Sequence, residues 1–230
     1  MKNQYFGDKR DYFKYRLLEA LTLGIPGLKQ LTCLWMLTRP IENNDGRKPF
    51  VADPADSRLA AFLVRCRARE VHDIRVMQKY FQSTGCRFFS FRDQPKDYFS
   101  RENRSEYFRV VPDAALQRSL VFFDPDNGLE PDGGASSAHL RYQELAQVFS
   151  RMDTHSVAVV YQHLPRIKAS TFWPTIATRI SKQLKRPVAF VADGDLAFYV
   201  APRDPSRFEP VMSVLRSQGG RTVGTIRGGA

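Results

Sequence analysis

The chain is short of cysteine, has no long apolar run, and carries too few acids to balance its bases. Its 230 residues include three cysteines, Cys33, Cys66 and Cys86. Their spacing fits neither a metal motif nor a disulfide framework, so they read as buried thiols of a reducing compartment. No stretch approaches the length of a bilayer span, which argues against a membrane partner. The opening M-K-N-Q-Y-F-G-D lacks the apolar core of a signal peptide, and a cytoplasmic location is expected. Asp and Glu number 24 against 35 Lys and Arg, a net charge of +11. That imbalance points to a polyanionic partner, DNA or RNA first, although an Arg-rich surface composition gives the same count. A hydrophobic share of 43% with 17 Phe excludes a disordered chain and supplies a full core.

What is present alternates between apolar strands and helices. Residues 8–22 carry Tyr12, Tyr15, Leu18 and Leu21 at helical spacing, with Asp11 as the expected cap. Leu31–Leu37 reads as a buried strand. A helix is expected from near Asp53-Pro54 through Cys66, and a second helical segment through Phe81. Cys86–Phe91, Ser119–Asp124 and Ser156–Tyr161 read as strands, and Tyr142–Phe149 and Ser170–Leu184 as helices. Pro187–Val191 and Leu196–Val200 form a hairpin around Ala-Asp-Gly-Asp. A last helix follows Asp204-Pro205. The pattern predicts one α/β domain over residues 1–230. It is a three-layer Rossmann-like sandwich with a mostly parallel sheet and a terminal antiparallel hairpin. The Gly-rich end, residues 219–230, reads as a flexible tail.

Chemistry concentrates where strands end. The run S-L-V-F-F-D stops at Asp124-Pro125, and Asp126, Asn127 and Glu130 follow at once. In open α/β sheets ligands bind outside the carboxyl ends of strands. Asp124, Asp126 and Asn127 are therefore candidate catalytic residues, with a simple Asp-Pro turn as the plainer reading. The stretch Y-Q-H-L-P-R ends a second apolar strand. It offers His163 as a general base or metal ligand, and Arg166 with Lys168 as a phosphate-binding pair. A local hydrogen bond of His163 is the plainer alternative. Asp8, Asp11 and Lys14 share a helix face if one helix holds all three. Asn43, Asn44 and Asp45 form a polar turn after the first strand.

Three functional classes remain open on these residues. Asp124, Asp126 and Glu130, with Asp8 or Asp11, offer oxygen ligands for Mg²⁺ or Mn²⁺ in a nuclease or phosphoesterase. A non-catalytic nucleic-acid-binding module fits the charge alone. The third class rests on resemblance. D-P-D-N at residues 124–127 resembles the D-P-P-Y or N-P-P-Y signature of adenine-N6 and related amino-methyltransferases, where it also follows a buried strand. Phe6–Leu18 is similar to the opening of the ribosomal-RNA adenine-N6 methyltransferases. Q-Y-F-G-D, N-N-D-G, F-F-D-P-D-N-G-L-E and Y-Q-H-x-P-R together resemble an uncharacterised bacterial and phage family over most of the chain. A final antiparallel strand entering a parallel sheet is also the class I methyltransferase arrangement. The methyltransferase resemblance implies S-adenosylmethionine as cofactor, with Asp8, Asp11, Lys14, Asn44 and Asp45 around its mouth. It implies that Asp124 contacts the target amino group of an extruded base. The chain departs from that pattern in three places. No glycine follows the first strand before Gly46, Asp126 replaces the second proline, and Asn127 replaces the aromatic.

Overall fold

The computed structural model describes residues 2–3, 6–39, 57–93, 98–165, 168–218 and 221–226. Asn43, Asn44, Asp45, Asp53, Pro54 and Arg166 lie outside the described residues.

Apolar runs with no polar alternation need burial on both faces, and they form the interior of one sheet. The strands are β1 (Gln30–Trp35), β2 (Arg87–Phe91), β3 (Ser119–Asp124), β4 (Val157–His163), β5 (Val188–Asp193), β6 (Leu196–Pro202) and β7 (Thr222–Ile226). Their order is β2-β1-β3-β4-β6-β5-β7. The first four are mutually parallel. Strand β6 lies antiparallel to both β4 and β5, so β4 and β5 run the same way on either side of it. All six residues of β1 and of β3 are buried, whereas β2, at the sheet edge, is half-exposed.

Alternate strand residues feed two cores. Leu31, Cys33, Trp35, Phe122 and Val159 face α1 (Lys9–Gly24), α2 (Arg58–Ala68), α3 (Met77–Ser83) and α7 (Phe208–Arg216). Leu34, Val121, Phe123 and Val160 face α4 (Arg104–Arg109), α5 (Tyr142–Arg151) and α6 (Ala169–Leu184). The result is a Rossmann-like sandwich with helices on both faces. Among the described residues no helix is long and apolar enough to cross a membrane.

Two local expectations are corrected. The cap of α1 is Asp8, whose carboxylate accepts from the Asp11 amide at 2.9 Å. Asp11 sits one turn inside and accepts instead from the Gly7 amide at 2.9 Å. Asp11 stands in the first turn, three residues past the cap, so its own amide is capped by Asp8 and its carboxylate turns back to an amide ahead of the cap. Within the Gly-rich end, Thr222–Ile226 do not fray but pair antiparallel with β5. Gly224 permits it, because a Cβ there would stand 2.2 Å from the Phe190 ring. The composition shows glycine; it does not show an aromatic ring waiting across the ladder.

Candidate functional site at the carboxyl edge

Parallel strands bring their carboxyl ends to one edge, and the register fixes which residues meet there. Trp35 of β1 pairs with Asp124 of β3. Phe123 pairs with Val160 of β4, so Asp124 stands level with Tyr161 and His163 extends one pleat beyond. The D-P-D-N and Y-Q-H segments therefore share an edge. The amino end of α1 arrives at the same place, because Lys14 reaches Asp124.

Lys14 is the centre of a buried ion cluster. Its Nζ donates to Asp124 Oδ2 at 3.0 Å and lies 2.9 Å from Asp11 Oδ1. Lys14 and Asp11 are each 3% exposed and Asp124 1%. The ammonium also lies 5.6 Å and 5.4 Å from the ring centroids of Tyr15 and Tyr161. Burial acts to lower the Lys14 pKa, but Asp11 first and Asp124 second outweigh it and hold the group well above its ordinary value. Two carboxylates share one ammonium. Burial pushes Asp11 up to about 6, against the pull of Lys14. Asp124, Asp11 and Lys14 were expected to meet substrate or cofactor. In the fold they meet each other, buried, and the pairing offsets the cost of burying each charge.

The next polar residues of the D-P-D-N segment are less deeply buried than Asp124. Asp126 accepts from Thr38 Oγ1 at 2.9 Å and from the Lys2 ammonium. Asn127 is exposed, and its amide N–H donates to the Ala138 carbonyl at 3.0 Å. Glu130 is committed elsewhere: its carboxylate accepts from the first amide of α5, that of Tyr142, at 2.8 Å. Asp124, Asp126 and Glu130 thus face three different partners. Among the described residues no group of three or more His, Cys, Asp or Glu is gathered to hold a metal ion.

On the other side of the edge, Tyr161 and His163 share a hydrogen bond of 2.7 Å between the phenol oxygen and Nε2. Burial, then the neighbouring Arg10, push the imidazole down to about 4, so it is neutral at physiological pH. Arg10 pairs with Asp195 in the β5–β6 turn. Lys168 is exposed and caps the backbone start of α6, after the segment that follows β4.

Gln162 joins the two motifs. Its Oε1 accepts from the Leu129 amide at 2.7 Å, and its Nε2 donates to the His163 carbonyl at 2.8 Å. The loop can come so close because Gly128, at φ +84°, has no Cβ; one would stand 2.5 Å from the Gln162 amide. The sequence shows Gln162 and Tyr161 at a strand end but assigns neither a task, and it assigns none to Lys2, Thr38 or Asp195. The only signal for Gln162 was a glutamine ending an apolar strand. For Thr38 there was none.

Asp126 makes the acid behaviour of this edge testable. Burial raises its pKa, and nearby positive charge including Lys2, with the Thr38 hydroxyl, overcomes this and holds it at about 2. A folded pKa below the ordinary carboxylate value of 3.8 stabilises the fold above pH 3.8, and that stability is lost as pH falls through about 2. The shift corresponds to about 2 kcal/mol. Asp126→Asn should lose that amount near neutral pH and flatten the acid limb in a urea-denaturation series. An acid limb like the parent's would assign the sensitivity to other groups.

A scan against protein-family models finds no match, and neither does a search of the curated proteins.

Proposed function

We propose that the protein is an S-adenosylmethionine-dependent methyltransferase acting on the adenine amino group of nucleic acid, with its site at the carboxyl edge of β1, β3 and β4. The observation that carries this reading is β6 entering antiparallel between β4 and β5, combined with D-P-D-N at the end of interior strand β3. The net charge of +11 suits a polyanionic substrate.

The residues present fit in part. When bound, S-adenosylmethionine supplies the methyl group. Asp93, two residues past the end of β2, supports this reading as an acid near a strand end, where Rossmann-type folds use one on a ribose hydroxyl. Asp126, ionised at any pH above about 2, is an acceptor for an amine N–H. The exposed Asn127 carboxamide has the donor–acceptor pair that reads the N6/N7 edge of adenine. We assign the contact with the target amine to Asp126 and Asn127, which are less buried than Asp124. Lys14 and Asp11 serve as framework beneath them. The metal-dependent reading needs convergent acids, and no observation favours it over this one.

Titration calorimetry of the full chain with S-adenosylmethionine tests the cofactor. One site with a dissociation constant in the micromolar range is expected. No heat from a protein that melts cooperatively would remove the methyl-transfer reading.

A further inference from the structure

Helix α2 reads R-L-A-A-F-L-V-R-C-R-A and contains no acid. Arg58 and Arg65 are seven residues apart, and Arg69, the residue that ends the helix, is four further on. At 3.6 residues per turn these three fall along one stripe. All three are exposed. Helix stability does not explain Arg58, which occupies the first helical position, where the dipole disfavours a cation. Its guanidinium donates to the Ser83 carbonyl and hydroxyl, both at 3.2 Å and both neutral. Among the described residues none of the three is in a salt bridge.

The stripe has a direction. Arg58 lies beside Ser83, at the end of α3 that leads into β2. At the other end of α2, the Arg67 stem packs 3.5 Å from where a Gly7 Cβ would stand, immediately before α1. Helix α2 therefore climbs from the amino edge of the sheet towards the rim of the carboxyl-edge site, and the stripe runs along its outer face, opposite Arg67. Eleven residues of helix span about 16 Å, roughly five phosphates along one strand at duplex rise.

We propose that Arg58, Arg65 and Arg69 form a track for the phosphodiester backbone of a nucleic-acid strand and deliver it to the carboxyl-edge site. This rests on the nucleic-acid half of the reading above. Arginine forks match phosphate geometry, and neutralised phosphates release counterions, so the track should be visible in the salt dependence of binding.

The test uses fluorescein-labelled single strands of one sequence, as DNA and as RNA, titrated with the full chain at several salt concentrations. Arg58→Gln/Arg65→Gln/Arg69→Gln should weaken binding roughly ten- to hundred-fold at low salt. It should also reduce the log–log salt slope by about 2, three contacts at about 0.7 each. A charge-matched control, Lys29→Gln/Lys182→Gln/Lys185→Gln, changes exposed lysines near the amino edge of the parallel strands and should keep most of the parent slope. A stronger effect on one strand type identifies that nucleic acid as the partner. An arginine variant that binds like the parent overturns the track. So does a control that loses as much, and so does a parent that binds neither strand. Calorimetry with S-adenosylmethionine on the same arginine variant separates the two ideas. A slope change without cofactor heat keeps the track and removes methyl transfer, and cofactor heat without a slope change does the reverse.

Discussion

Lys14→Met is expected to destabilise the protein by about 3–5 kcal/mol, because it leaves two carboxylates buried without a counter-ion. Asp11 and Asp124 are 3% and 1% exposed, and Lys14 is within 3.0 Å of both. Methionine fills much the same volume, so the loss reports charge rather than a cavity. For a domain of this size the midpoint of thermal unfolding should fall by about 6–20 °C. Asp11 is already pushed up to about 6 by burial, so it takes a proton with little resistance. The deficit of the variant should therefore shrink as pH is lowered, and Lys14→Met/Asp11→Asn should recover part of it near neutral pH. A loss below about 1 kcal/mol in denaturant would mean that water or a rearranged side chain reaches the cluster.

Gly128→Ala should cost about 3 kcal/mol and displace the D-P-D-N loop. The backbone there is left-handed at φ +84°, which strains any residue with a Cβ, and the added methyl would stand 2.5 Å from Gln162. Gln162 holds the Leu129 amide and the His163 carbonyl, so moving it unties the loop from β4. Gln162→Ala makes room for the methyl but abandons the Leu129 amide. Combining the two substitutions should cost less than the sum of the single changes. Full additivity in urea denaturation would mean that the clash is relieved elsewhere. Ligand affinity should fall in both single variants, since Asp126 and Asn127 ride on the same loop.

The sheet was legible because its interior strands are uniformly apolar. S-L-V-F-F-D and V-A-V-V-Y can only be satisfied between other strands, and the Ala-Asp-Gly-Asp turn announces its hairpin. Strand β7 was not legible, because its pairing depends on Gly224 accepting the Phe190 ring, a contact 34 residues distant in sequence. The shared edge followed from two strand-terminal motifs, and the register bears it out. The division of labour within it did not follow. Asp124 and Asp126 are the same residue type two positions apart, yet one is sealed against Lys14 and the other opens to Lys2 and Thr38. The end of β3 at Asp124 and the arrival of α1 decide that difference, and the second is long-range. Of Asp8, Asp11 and Lys14, the last two lie on α1 and are buried together as an ion pair, while Asp8 caps the helix from outside it.

Transfer of an isotope-labelled methyl group from S-adenosylmethionine to a single-stranded oligonucleotide tests the central claim most directly. The strand should contain adenine as its only amino-bearing base. The account predicts label on the adenine amine with the parent chain, and roughly a hundred-fold lower rate with Asp126→Asn, which removes the anionic acceptor at the mouth. Folded protein that leaves the strand unlabelled, or an Asp126→Asn variant as fast as the parent, would contradict it.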